Sequence, residues 1–140
     1  MLKRLLFLDD LKGGADAVLA AFRVYVGAFL IWGVWDNIVS AERMSEFAGF
    51  LSANGFAAPE AMAPLSVCAQ FACGAAFIAG LLTRWAGAVC AINFIVALAM
   101  VDAQHGMRAA FPAAMLVGFG AFVASYGAGR FSLDALMRSR

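Results

Sequence analysis

Few side chains here can do chemistry, and those few stand among apolar neighbours. Arg23 lies within AVLAAFRVYVGAFLIWGVWDN, Gln70 within AMAPLSVCAQFACGAAFIAGLL, and Asn93 within WAGAVCAINFIVALAMV. A guanidinium or amide in such surroundings needs hydrogen-bond partners, because desolvation without them is costly. Two readings are open for the amides. Gln70 and Asn93 bond each other and join two helices, a contribution of about 1 kcal/mol, or they line a small polar pocket for a quinone head or another ligand. Neither amide titrates as a carboxylate does, so a proton path through them is not expected.

Other chemistries find little support. His105 is the single histidine, which rules out two axial imidazoles for a haem within one chain. No Cys, His, Asp or Glu cluster has metal-ligand spacing. There is no phosphate-binding glycine motif and no Ser–His–acid order. Asp102 and His105 read as parts of a solvated turn, with a pair between them as the other reading. Cys68, Cys73 and Cys90 lie in apolar runs without a CxxC, and an odd count argues against a disulfide framework; they read as small buried apolar residues. No catalytic residue and no metal site is assigned, and catalysis by the chain alone is not expected.

The elements that must position these residues are set by the solvent. Of 140 residues, 64% are hydrophobic and 14% charged, and the mean hydropathy is +0.86. A soluble domain is nearer half apolar and a quarter charged, so the chain reads as one integral membrane domain. The net charge of +1 leaves no nucleic-acid footprint. Each crossing needs about 20 mostly apolar residues, and backbone in lipid must bond within its own segment, so each is a helix. Four spans are expected, over about 17–39, 61–82, 85–101 and 109–128. Pro64 and Pro112 are placed in the first turns of the second and fourth, where a missing N–H costs little.

The expected fold is therefore all-α, a compact four-transmembrane-helix bundle. Thr83–Arg84 makes a tight junction between spans two and three. Gln70, Cys73, Gly74, Phe77, Leu81 and Arg84 fall on one helical face by three-and-four spacing. Phe47, Phe50 and Leu51 recur at helical spacing, which predicts an amphipathic segment over about 42–53 in the outer loop, ended by Asn54–Gly55. MLKRLLFLDDLKGG is too short in its apolar run for a signal peptide and reads as a surface-lying amphipathic segment. Eight basic residues (Lys3, Arg4, Lys12, Arg23, Arg84, Arg130, Arg138 and Arg140) fall on the side of the termini and only Arg43 and Arg108 on the other. That asymmetry puts both termini in the cytoplasm. Arg23 is then near the cytoplasmic interface, as an anchor or staple with Asp16, Tyr126 or Asp134 as partners, or in a functional role.

Four pieces together carry a resemblance: RVYVGAFLIWG in span one, QFACGAAFIAGLLTR in span two, the immediate third span, and GAGRFSLDAL at Gly127–Leu136. The chain resembles the DoxX family of small four-helix membrane proteins. The resemblance implies a compact four-span bundle. It also implies association with membrane redox systems, since some relatives are linked to thiosulfate:quinone oxidoreductase and others to complexes handling thiols and oxidative stress. Arg23, Thr83, Arg84, Gly127, Gly129, Arg130, Ser132 and Asp134 match the family pattern; relatives often carry Glu at Gln70 and Lys at Asp36. The matching glycines would let the chain turn out of the bilayer, with Ser132 capping a short terminal helix. Converging Arg23, Arg84 and Arg130 would form a basic rim for a partner or an anionic head group.

The expected function is a small bacterial inner-membrane subunit or accessory of a redox system, thiol, thiosulfate or quinone linked. It would act by binding a soluble or membrane oxidoreductase partner or a quinone, as one copy or a homo-oligomer. Arg23, Gln70, Asn93, Arg84 and Arg130 are the candidate binding residues, and no intrinsic cofactor is expected. The rival is a membrane scaffold, assembly factor or lipid- or small-solute-handling protein with no redox role.

Overall fold

A computed structural model describes residues 13–139, so the amphipathic reading of the first residues falls mostly outside it. Among the described residues the fold is all-helical. It has α1 (Ala15–Val39), α2 (Ala41–Ala53), α3 (Pro59–Ala79), α4 (Thr83–Met100), a 3₁₀ turn (Asp102–His105), α5 (Met107–Tyr126) and α6 (Leu133–Arg138). α1, α3, α4 and α5 are long and apolar enough to cross a membrane. The chain is a multi-pass membrane protein with a four-helix bundle.

The helix ends follow from local chemistry. α1 gives way at Ser40, whose backbone is extended and whose hydroxyl accepts from the Arg43 amide to start α2. Asn54 and Gly55 end α2, with Gly55 at φ 79°. Pro59 takes the first position of α3, so Pro64 lies inside that helix and not in its first turn; Pro112 is likewise interior to α5. Each deprives an upstream carbonyl of its amide partner. α3 stops at Ala79, because Gly80 adopts the left-handed conformation of a C-cap. Leu81 and Leu82 are apolar but form the turn, so Leu81 and Arg84 do not continue the helical face of Gln70.

Packing is closest where glycines meet. A Cβ on Gly27 would lie 2.5 Å from the Gly74 carbonyl oxygen, and one on Gly87 would lie 2.6 Å from that of Gly120. α1 therefore lies against α3, and α4 against α5, at backbone contact. Phe119 joins the two pairs edge-on, with ring centroids 5.0 Å from Phe22 and 5.2 Å from Phe77. The core (Leu30, Cys73, Phe77, Cys90, Phe119 and Val123 among others) fills the half of the bundle nearer the α3–α4 turn. All fully buried residues of α4 fall between Thr83 and Ala91. Its second half is left as one wall of an opening.

Candidate cleft and the two ends of the bundle

That opening is a cleft of about 500 Å³ between α2, α3 and α4, within the ~300–1,000 Å³ usual for small-molecule sites. Its walls are apolar: Leu65, Val89, Ile92 and Val96 from the long helices, and Phe47, Phe50 and Leu51 from α2. Phe47 and Phe50 stack at 6.5 Å, and Leu51 is buried, so the amphipathic helix closes the cleft with its apolar side. Asp102 lies at the same end.

Polar groups enter the cleft midway along the helices. Gln70 is the twelfth of the 21 residues of α3, and Asn93 the eleventh of the 18 in α4. They do not bond each other directly. Gln70 Nε2 donates to Ser66 Oγ at 3.2 Å, and Ser66 Oγ donates to Asn93 Oδ1 at 2.9 Å. Four residues separate Ser66 from Gln70, so both lie on one side of α3, and the hydroxyl fills the gap between the amides. Both amides remain half-buried in the cleft lining. The expected direct Gln70–Asn93 bond is thus replaced by a row through Ser66 that still joins the two helices, and both amides lie in the lining of a largely apolar cleft. Ser66 is the functional candidate that the sequence reading missed.

The three candidate arginines sit at the opposite end. Arg23 is 1% exposed. Its Nη1 donates to the Phe77 carbonyl oxygen (3.2 Å) and its Nη2 to that of Phe131 (2.5 Å), so it ties α1 to the end of α3 and to the C-terminal segment. Its direct partners are these carbonyls, and not the carboxylates of Asp16 or Asp134 or the Tyr126 ring. Arg84 donates to the carbonyl oxygens of Ala124 (3.2 Å), Ser125 (2.8 Å) and Tyr126 (3.3 Å), the unpaired acceptors at the end of α5. Arg130 is exposed, with its Nε 3.9 Å from Asp16 Oδ2. Of the three, Arg23 is enclosed, while Arg84, which caps a helix, and Arg130 are both exposed and line one depression with Arg138.

The C-terminal segment is fastened at this end. Gly127 (φ 96°) and Gly129 (φ 76°) turn it out of α5. Ser132 Oγ accepts from the Ala135 amide and caps α6 as expected. Asp134 lies in the first turn of α6, and its carboxylate accepts from the amides of Leu82 (2.8 Å) and Thr83 (2.9 Å) and caps α4. That clamp holds Leu82 in its left-handed conformation (φ 49°). Burial pushes the Asp134 carboxyl upward, but the Thr83 and Leu82 amides outweigh it and hold the group below the ordinary carboxylate range.

The cysteines divide as well. Cys73 and Cys90 are buried, and Cys73 Sγ donates to the Ala86 carbonyl oxygen at 3.3 Å. Cys68 is exposed on α3, contrary to the buried reading; it points away from the helices that enclose the other two. His105 Nδ1 bonds the Val101 carbonyl oxygen (2.8 Å) and makes no pair with Asp102.

Fold and site define a small, four-span helical membrane protein with an apolar cleft between α2, α3 and α4 into which two amides reach. A DoxX family model matches residues 18–103, well over half of the chain, and the protein belongs to the DoxX family. The match takes in Arg23, Ser66, Gln70, Arg84 and Asn93, and leaves GAGRFSLDAL outside it. No curated protein and no solved structure matches the chain.

Proposed function

We propose that this DoxX protein is a bacterial inner-membrane accessory or subunit of a redox system. It holds a quinone-class molecule in the α2–α3–α4 cleft for a partner oxidoreductase. The observation that carries this reading is the Ser66–Gln70–Asn93 row set midway along two apolar helices, at the floor of an apolar cleft. A phospholipid fits this distribution poorly, since its charged head would lie at mid-bilayer, where charge is expensive. A small neutral head with acceptor or donor oxygens and a greasy body fits it well. The side chains of Leu65 and Ile92, 59% and 64% exposed, would contact its tail toward lipid.

The chain supplies positioning and no reaction of its own, so electrons would pass on a partner. Arg130 and the exposed side of α6 offer that partner a surface. The gathering of Arg23, Arg84, Arg130 and Arg138 at one end, against Arg43 and Arg108 at the other, supports cytoplasmic termini.

The test is equilibrium binding of a short-tailed benzoquinone to the protein in nanodiscs. Saturable binding is expected, weakened about tenfold by Asn93→Leu or Gln70→Leu, which is about 1.4 kcal/mol and the size of one hydrogen bond. Folded wild-type protein with no saturable binding would overturn the reading and leave the row as a helix-joining device in a scaffold.

A further inference from the structure

The row at the floor of the cleft has a direction. Gln70 donates to Ser66, and Ser66 donates to Asn93. A side-chain amide carries two N–H donors and one acceptor oxygen, while a hydroxyl donates once and accepts as well. Once the row is made, Asn93 keeps both Nδ2–H donors and Gln70 keeps its Oε1. Neither group makes another side-chain hydrogen bond among the described residues.

The same heavy atoms support the opposite direction. Half a turn of each amide exchanges its oxygen for its nitrogen in nearly the same volume, and the Ser66 hydroxyl hydrogen swings from one neighbour to the other. Asn93 Nδ2 then donates to Ser66 Oγ, which donates to Gln70 Oε1. The number of bonds is unchanged, and no proton leaves any residue. What changes is the face shown to the cleft: Asn93 offers donors in the first arrangement and its Oδ1 acceptor in the second. Serine makes this possible, because its one oxygen both accepts and donates and so reverses in place.

We infer that this row is reversible, so that the cleft takes both members of a two-electron carbonyl/hydroxyl pair, a quinone and its hydroquinone, with nearly equal affinity. The inference rests on the quinone-class reading above. A quinone oxygen only accepts and meets the Asn93 donors; a hydroquinone hydroxyl donates and meets Oδ1. A site of this kind leaves the midpoint potential of the bound pair close to its value in the membrane. It suits a protein that stores or passes on either form rather than one that drives the couple in one direction.

The experiment measures Kd for a short-tailed benzoquinone and for its hydroquinone, under anaerobic conditions, in nanodiscs. Wild-type values are expected within about threefold of each other, a midpoint shift of no more than about 14 mV at 29.6 mV per tenfold for a two-electron couple. Asn93→Asp, measured at a pH where its carboxyl is ionised, presents acceptors only and cannot reverse. It is expected to favour the hydroquinone by tenfold or more, raising the midpoint by about 30 mV. Gln70→Glu forces the opposite direction, with Ser66 donating to residue 70 and Asn93 Nδ2 donating to Ser66. That leaves Asn93 Oδ1 facing the cleft and should also favour the hydroquinone, whereas Asn93→Leu should weaken both forms alike. A wild-type preference above tenfold for one form, or an Asn93→Asp ratio equal to wild type, overturns the inference while the quinone reading stands. Binding of neither form by folded wild-type protein overturns that reading instead. The wild-type ratio decides the matter even where a variant fails to fold.

Discussion

Replacing Arg23 separates a structural staple from a functional charge. Arg23 is enclosed, with its two Nη atoms on the carbonyl oxygens of Phe77 and Phe131 and its Nε without a partner among the described residues. Hydrogen bonds from a charged donor are worth about 1.5–3 kcal/mol each. Lysine keeps the buried charge but replaces a planar fork by a single ammonium. It forfeits one bond and keeps the desolvation, so Arg23→Lys is expected to cost about 1.5–3 kcal/mol. Arg23→Met loses both bonds but also removes a desolvation cost of several kcal/mol, and should lie within about 1–2 kcal/mol of wild type. The charge-conserving change is thus the more damaging one. Thermal unfolding in one detergent, read by tryptophan fluorescence, should show Arg23→Lys melting roughly 5–10 °C below wild type. Limited proteolysis should show the C-terminal segment loosened in both variants. Were lysine tolerated better than methionine, the account of Arg23 as a two-carbonyl staple would be refuted, and its charge would be what matters.

Three further outcomes follow from particular contacts. The Asp134 clamp is a carboxylate device: its folded pKa is lowered, so its contribution is full above the ordinary value of 3.8 and fades as pH falls through the lowered value. Protection of the Leu82 and Thr83 amides, taken relative to their intrinsic exchange rates, should therefore fall in acid below about pH 4; Asp134→Asn should lower it at neutral pH, at a cost of about 1–3 kcal/mol, and abolish the acid dependence. Gly87→Ala drives a Cβ to 2.6 Å from the Gly120 carbonyl oxygen and should cost about 1–3 kcal/mol; Gly118→Ala meets nothing within 4 Å and should stabilise α5 by about 0.5–1 kcal/mol in the same melting assay. Arg84→Ala should speed amide exchange in the last turn of α5, while Arg130→Ala, at an exposed pair 3.9 Å apart, should leave melting within about 1 kcal/mol of wild type.

The membrane helices were legible because length and hydropathy alone require them, and α2 because Phe47, Phe50 and Leu51 share a side. The α3–α4 turn was hidden for the same reason that the spans were clear. Leu81 and Leu82 count as apolar whether or not they are helical, and only Gly80 marks the stop. Pro64 and Pro112 were misplaced by a turn because the helices begin before their apolar runs do. Gln70 and Asn93 stood out as polar residues in apolar company. Ser66 did not, since serine is ordinary in a membrane helix, although its four-residue offset from Gln70 was available. Arg23 was read as part of a rim because backbone carbonyls leave no mark in a sequence, and carbonyls are what Arg23 and Arg84 engage. The Asp134 clamp on α4 left no local mark for a related reason: it engages amides 51 and 52 positions away.

The central claim is that the α2–α3–α4 cleft holds a quinone-class molecule by its polar head, midway through the membrane. Photolabelling in nanodiscs with a quinone bearing a diazirine on its ring tests this most directly, with adduct positions read by mass spectrometry. The account predicts adducts near Ser66, Gln70 and Asn93 that vanish with excess unlabelled quinone. Adducts scattered over the outward faces of α1 and α5, and indifferent to that excess, would contradict it.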